Sequence, residues 1–124
     1  MTNEQPNCFV FSKDLMFSSQ ISGAAKSAGF DTKTVLGIDQ VNSDSTHYVV
    51  LDLTIPSLDI ADAVRTLKDG GATVIAVGPH VHEAKLELAR ESGCDRVLSK
   101  GQASRELGAV LAKLSEDDAS AHDS

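Results

Sequence analysis

The chain has 124 residues, of which 41% are hydrophobic and 23% are charged, and it carries a net charge of −7. These values are typical of one globular domain, and the length leaves no room for two. The negative charge argues against nucleic acid and against an anionic membrane surface as partners, since both attract clusters of Lys and Arg. The start MTNEQPN is too polar for a signal peptide, and no apolar run is long enough to span a membrane, so we expect a cytoplasmic protein.

Short apolar runs alternate with segments of helical periodicity along the chain. The sequence predicts strands over 8–11, 32–37, 47–53, 72–77 and 95–99, of which 32–37 is the weaker and the middle strands are unbroken apolar runs that indicate burial on both faces. The periodic segments predict helices over 15–28, 57–69, 80–92 and 104–114, with one or two turns over 38–45. This alternation predicts an α/β domain with a five-stranded parallel sheet, doubly wound, with helices on both faces.

Two details of the helices are specific enough to be tested. Ser57 is the predicted N-cap of the second helix, because it follows a proline and precedes an apolar stripe. In the segment 80–92, Val81, Ala84 and Leu88 recur at helical spacing, and this spacing predicts that they form the buried face.

Both ends of the chain are predicted to lie outside the domain, which spans 8–114. Residues 1–7 form a polar lead, and 115–124 contain four acids, no basic residue and no apolar type except alanine, which indicates a disordered acidic tail. Cys8 and Cys94 are the only cysteines and are not spaced as C-x-x-C, so we expect two buried thiols.

Polar residues follow the predicted strands at the edge where a doubly wound sheet forms its sites, beyond the carboxyl ends of the strands. They are Ser12, Lys13 and Asp14 after the first strand, Asp52 after the third, Gly78 after the fourth and Lys100 after the fifth. The sequence therefore predicts two lysines and one or two carboxylates at a single rim.

Two of these positions lie in recognisable motifs. The stretch VVLDLTIPSLD, with Asp52 at a strand end and a proline four residues later, resembles the phosphoacceptor motif of response-regulator receiver domains, the CheY-like family. The stretch RVLSKG resembles the lysine motif at the end of that family's fifth strand. The resemblance covers about residues 7–114 and implies a flavodoxin-like fold, with Asp52 at the phosphoacceptor position and Lys100 at the position of the phosphate-contacting lysine.

Other positions depart from the family pattern. Ser12 and Lys13 stand where the resemblance implies a pair of acids that hold Mg²⁺, and Gly78 stands where it implies a Thr or Ser hydroxyl that senses the phosphoryl group. Phosphoryl transfer needs a divalent ion and cations to offset the charge on the phosphoryl oxygens. Asp14 and Asp52 remain as candidate ligands for Mg²⁺. With two lysines at the same rim, these carboxylates lack the negative potential that attracts a divalent ion, so we expect no cofactor.

The two lysines suggest a different use of the rim. Lys13 and Lys100 could flank Asp52 and hold it in a charge-paired state. A Lys–Asp pair at a separation of about 4 Å gains about 4 kcal/mol of Coulomb energy at an effective dielectric of 20, before desolvation and entropy costs. Our first hypothesis is therefore a locked, charge-paired site.

The sequence thus favours a non-enzymatic pseudo-receiver in a two-component signalling pathway. Such a domain would act through protein contacts, with a histidine kinase or a second copy as partner, and the resemblance implies residues 80–113 as the contact surface. The first alternative is a phosphorylatable single-domain response regulator in a phosphorelay, which accepts a phosphoryl group on Asp52 from a histidine kinase or phosphotransfer protein. The second is a doubly wound domain that binds a small molecule.

Overall fold

The computed structural model describes residues 7–41 and 47–123. Five strands alternate with helices, in the chain order β1 Asn7–Phe11, α1 Leu15–Ser27, β2 Asp31–Val35, β3 His47–Asp52, α2 Ile60–Asp69, β4 Thr73–Gly78, α3 Glu83–Glu91, β5 Arg96–Ser99 and α4 Lys100–Asp123. A 3-10 turn over Ile38–Gln40 follows β2, and residues 42–45 of the predicted turn segment 38–45 lie outside the described residues. In the part of the chain that the structure describes, no helix is long and apolar enough to cross a membrane.

All five strands are parallel, and their order in the sheet is β2-β1-β3-β4-β5. The central strand β3 is buried along its whole length, as expected for a strand that is covered on both faces. One apolar cluster joins the sheet to α2 and α3, and a second joins it to α1 and α4. The predicted doubly wound α/β fold is confirmed.

Helix α2 begins later than the sequence predicts. Its N-cap is Asp59, whose Oδ1 accepts a hydrogen bond from the N–H of Asp62 at 3.0 Å. Ser57, the predicted cap, has a φ of 62°. An N-cap residue normally has extended backbone, so a residue in the left-handed region cannot serve as the cap. The prediction for Ser57 is wrong because a tight turn comes between Pro56 and the helix.

Helix α3 buries a different face from the one that the sequence predicts. Its buried residues are Leu86 and Ala89, whereas Val81 is 70% exposed, Leu88 is 41% exposed, and Ala84 is also exposed. The segment carries two apolar stripes at helical spacing, and periodicity does not distinguish between them. In the structure, Leu86 and Ala89 join the apolar cluster that the sheet shares with α2, and this docking selects the stripe that is buried.

Helix α4 is longer than predicted at both ends. It begins at once after β5 because Ser99 and Gln102 form a reciprocal capping box: the Oε1 of Gln102 accepts from the N–H of Ser99 at 2.9 Å, and the Oγ of Ser99 accepts from the N–H of Gln102 at 3.1 Å. The helix continues through Asp123, where composition indicates a disordered tail. Extending an existing helix is easier than nucleating one, and alanine is the strongest helix former.

Candidate functional site

Asp52 ends β3 and is buried, with 1% of its surface exposed. Its Oδ2 accepts a hydrogen bond from the Oγ of Ser12 at 2.6 Å. Its Oδ1 accepts two, from the N–H of Thr54 at 2.9 Å and from the Oγ1 of Thr54 at 2.7 Å. Local turns of this kind are typical of Asp, whose side chain bonds the backbone two residues later. Both carboxylate oxygens are therefore held by neutral donors, and we call these bonds the Asp52 clamp.

The clamp is continuous with the start of helix α1. Ser12 is itself buried, and its Oγ accepts from the N–H of Asp14 at 3.1 Å while it donates to Asp52. The Oδ1 of Asp14 in turn accepts from the N–H groups of Met16 and Phe17 at 3.0 and 3.2 Å. Asp14 is thus the N-cap of α1, and its capping bonds satisfy amide groups that have no partner within the helix.

The two lysines do not pair with Asp52. Lys13 is exposed, and the Nζ of Lys100 lies 5.0 Å from the centroid of the Phe17 ring. Among the described residues, neither lysine forms an ion pair within 4.0 Å. The hypothesis of a charge-paired site is therefore wrong. Ser12 and Thr54 supply the hydrogen bonds of the carboxylate, and Lys100, as the first residue of α4, contacts the face of an aromatic ring on α1 instead.

Gly78 ends β4 and is buried, and the space beside it is filled by leucines. A Cβ atom at this position would lie 3.2 Å from the Cβ of Leu53, 3.3 Å from its Cδ1 and 3.6 Å from the Cδ2 of Leu86. The first two distances are shorter than ordinary carbon contacts. A hydroxyl-bearing side chain at position 78 therefore requires Leu53 to move.

A cavity of about 260 Å³ opens over Asp52, and its lining residues are Lys13, Asp14, Asp52, Thr54, Ile55 and Pro56. The two carboxylates that the sequence assigns as candidate Mg²⁺ ligands, Asp14 and Asp52, thus line the same cavity. Both oxygens of Asp52 accept clamp bonds and the Oδ1 of Asp14 accepts the capping bonds, and no group of three or more His, Cys, Asp or Glu side chains within 7–41 and 47–123 could hold a metal ion. Mg²⁺ needs near-octahedral oxygen ligands, so these residues do not fit a resident Mg²⁺ ion.

No family model matches the chain, and no curated protein matches it either. Solved structures do. The beryllofluoride-activated receiver domain of DrrB, a Thermotoga maritima protein, has a TM-score of 0.75 and 22% identity, over 90% of this chain and 98% of that one. This is the fold of response-regulator receiver domains.

Two further receiver domains support the same assignment of the fold. The receiver domain of the response regulator TorR of the TMAO respiratory system has a TM-score of 0.73 and 14% identity, over 88% of this chain and 95% of that one. The receiver domain of the sensor histidine kinase PA1611 from Pseudomonas aeruginosa has a TM-score of 0.73 and 18% identity, over 88% and 96%. At these identities the likeness to receiver domains is one of fold.

Sequence reasoning placed Asp52, Ser12, Asp14 and Lys13 at one rim of this receiver fold, and the structure brings all four to the region of the cavity or the clamp. It missed Thr54, which supplies two of the three bonds of the clamp. The signal was present, since a Thr two residues after an Asp at a strand end is typical of a local side-chain turn.

Proposed function

We propose that this chain is a receiver-like signalling domain of the pseudo-receiver type, which acts through protein contacts and does not carry out Mg²⁺-dependent phosphoryl transfer. The observation that supports this proposal is the Asp52 clamp. The buried carboxylate makes all its bonds to neutral groups of Ser12 and Thr54, and neither nearby lysine is paired with it.

The chemistry of phosphoryl transfer explains why the clamp matters. A carboxylate that accepts a phosphoryl group must present a free oxygen in line with the leaving group, and a metal ion must neutralise the charge that develops. Here one oxygen of Asp52 is bonded by Ser12 and the other is bonded twice by Thr54. The two bonds of Thr54 fill both lone-pair sites of Oδ1, and the bond of Ser12 fills one of the two sites of Oδ2.

The electrostatics of the cavity support the same proposal. The structure of the PA1611 receiver domain carries a magnesium ion coordinated in its active-site cleft. In this chain the cavity over Asp52 is lined by Lys13 as well as by Asp14. An ammonium group in the same cavity opposes the entry of a divalent cation, and Ser12 offers a neutral oxygen in place of an anionic one.

A titration of backbone amide signals with Mg²⁺, followed by beryllofluoride, tests the proposal. The matched variant is Ser12→Asp with Lys13→Asp, which restores two acids at the rim. We expect no saturable shifts in the unmodified chain at millimolar Mg²⁺, and saturable shifts around Asp52 in the double variant. Saturation at sub-millimolar Mg²⁺ in the unmodified chain would overturn the proposal and favour the phosphorylatable regulator.

That alternative has one specific observation in its favour. Asp14 and Asp52 line the same cavity, and the capping bonds of Asp14 use only its Oδ1, so its Oδ2 could supply a second carboxylate oxygen. Incubation with a small-molecule phosphodonor and Mg²⁺ distinguishes the two proposals. A mass gain of one phosphoryl group that disappears in Asp52→Asn would favour the phosphorylatable regulator, and an unchanged mass agrees with the pseudo-receiver.

Protein contact as the mode of action is supported by exposed apolar residues in the region of α3. Val81, two residues before the helix, and Leu88, on the helix, are large apolar side chains that the fold leaves exposed, and both lie within the contact surface over 80–113 that the resemblance implies. Exposed apolar surface is one feature of sites that bind other proteins.

A further inference from the structure

Strand β2 lies at one end of the sheet, so one side of its backbone faces away from the other strands. In the order β2-β1-β3-β4-β5, β2 pairs with β1 alone. Alternate N–H and C=O groups of such an edge strand point outwards and can pair with a strand of another molecule. Among the described residues, no further strand occupies that position.

Two charged side chains of β2 are exposed on one face of the sheet. Asp31, Lys33 and Val35 share a face, because side chains alternate along a strand. The register pairs Lys33 with Phe9 and Val35 with Phe11, so this is the face on which α2 and α3 pack. Val35 is buried there, but Asp31 and Lys33 are exposed, since the described part of the connection after β2 contains a 3-10 turn and no α-helix.

These two charges have no opposite charge close to them in the structure. Within the described part of the chain, neither Asp31 nor Lys33 belongs to an ion pair within 4.0 Å. Thr32 lies between them on the other face and is half-exposed. The segment 31–33 thus presents an acid and a base on one face, two residues apart, beside an open backbone.

A second copy of the same strand complements this arrangement in one register. When two β2 strands pair antiparallel about a two-fold axis perpendicular to the sheet, every side chain keeps its face, so one residue must lie opposite its own counterpart. With Thr32 at the axis, Asp31 of each copy lies opposite Lys33 of the other. An axis at Asp31 or at Lys33 places like charges opposite each other, and an axis at Thr34 places Lys33 opposite Val35.

From this complementarity we infer that two copies of the chain associate through antiparallel pairing of their β2 strands, centred on Thr32. The two sheets then join into one. A lysine on an edge strand normally prevents such pairing, but here Asp31 supplies the opposite charge on the same face. The contact includes neither Asp52 nor the residues over 80–113, so it does not depend on whether Asp52 accepts a phosphoryl group.

The size of the contact predicts a weak, reversible dimer. We expect the pairing of two five-residue strands to bury less than the roughly 1,200 Å² of a stable specific complex. The net charge of −7 adds repulsion between the copies, whereas the two Asp–Lys pairs and the Thr–Thr pair oppose it. The dimer should therefore form at millimolar protein concentration and dissociate at micromolar concentration.

Sedimentation velocity over a concentration series tests the pairing through charge exchange. Lys33→Asp places aspartates opposite each other and Asp31→Lys places lysines opposite each other, so each variant alone should dimerise at least about tenfold more weakly than the unmodified chain. A mixture of the two variants restores an opposite charge at both pairs, and we expect a heterodimer about as strong as the unmodified dimer. If Lys33→Asp does not fold, Lys33→Glu replaces it in the same experiment.

Arg96→Asp is the matched control. Arg96 is an exposed residue of β5, the edge strand at the other end of the sheet, and its replacement changes the net charge by as much as Lys33→Asp does. The dimer should persist in Arg96→Asp. An unmodified chain that stays monomeric at millimolar concentration would overturn the inference, as would equal weakening by both variants or a mixture that forms no heterodimer.

Hydrogen exchange locates the contact along the chain. Alternate amides of β2 should exchange more slowly as the protein concentration rises through the range in which the dimer forms, because their N–H groups gain partners across the two-fold axis. The amides of β5 should exchange at the same rate throughout. A dimer that leaves the exchange of β2 unchanged would contradict the inference.

Discussion

Asp52 and Asp95 lie at opposite edges of the same sheet, which are formed by the carboxyl ends and the amino ends of its strands. The groups that bond the two carboxylates differ in charge. Asp95 precedes β5 at the amino edge, is half-exposed, and its Oδ2 accepts from the Nζ of Lys68 at 2.7 Å and from the N–H of Val74 at 2.8 Å. Asp52 lies at the carboxyl edge, is buried, and is bonded only by neutral groups.

The difference shows where this fold places its charges. The ion pair of Asp95 ties α2 to the start of β5, where water still screens the charges, so it costs little to form. A buried carboxylate without a counter-ion is more demanding, because its lost hydration must be replaced bond for bond. The Asp52 clamp supplies these bonds but provides no positive charge to offset the carboxylate beneath the cavity.

Replacement of Asp52 should have the largest effect. Asp52→Ala leaves the buried hydroxyl of Ser12 and the half-buried hydroxyl of Thr54 without their acceptor, and we expect the free energy of unfolding to fall by about 3 kcal/mol. Chemical denaturation measures the change, with Asp14→Ala as the reference for the loss of an exposed helix cap at the same rim, which should cost only about 1 kcal/mol. A more stable Asp52→Ala protein would show that relief of the buried charge outweighs the lost bonds.

Replacement of Asp95 should have a smaller effect that depends on salt. Asp95→Ala removes a half-exposed ion pair and one hydrogen bond to backbone, so we expect a loss of about 1 to 2 kcal/mol. Part of this loss should disappear at molar salt, where the Debye length is only about 3 Å and exposed charges are strongly screened from each other. The cost of Asp52→Ala should remain, and an equal salt dependence of the two variants would erase the contrast between the two edges.

Cys94 reports on the charges at the amino edge. Burial, with an added contribution from the negative charge of Asp95 and an opposing one from Lys68, raises the pKa of its thiol to about 12 from the usual 9.0. The stability that this thiol contributes is complete below pH 9 and is lost as the pH rises towards 12, because the unfolded chain loses the proton first.

Substitutions around Cys94 should move its pKa in opposite directions. Asp95→Asn should lower the pKa and speed the reaction of the thiol with a disulfide reagent at pH 9 several-fold, whereas Lys68→Met should slow it. Cys8 is fully buried, and burial also raises the pKa of its thiol to about 12, so a Cys8→Ala background isolates the signal of Cys94. Equal rates in the two charge variants would contradict the prediction.

Ser57→Gly should have the smallest effect. The φ of 62° at Ser57 lies in the left-handed region, which costs a non-glycine residue roughly 1 to 2 kcal/mol. Glycine relieves this strain but gains freedom in the unfolded chain, so we expect a net stabilisation of up to about 1 kcal/mol. Thermal unfolding measures it, with Ser57→Ala as the control that keeps the strain; a destabilised Ser57→Gly protein would mean that the turn is unstrained.

Features that depend on local pattern could be read from the sequence. The three middle strands, β1, β3 and β4, appear as apolar runs, and Ser12, Asp52 and Gly78 each occur where such a run ends. The early start of α4 was also readable, since S-x-x-Q at 99–102 is a capping pattern. What could not be read was the partner of each group, because Ser12 and Asp52 are forty residues apart and meet only through the pairing of β1 with β3.

The sequence by itself determined the class of the fold and the position of Asp52 at its carboxyl edge, because strand burial and strand ends follow from local hydrophobicity. Only the tertiary structure decided that Ser12, and not Lys13 or Lys100, joins Thr54 in bonding that carboxylate, because this depends on the pairing of β1 with β3. It also decided which stripe of α3 faces the core. That outcome depends on how the helix is rotated and docked on the sheet, and periodicity along the chain does not encode that rotation.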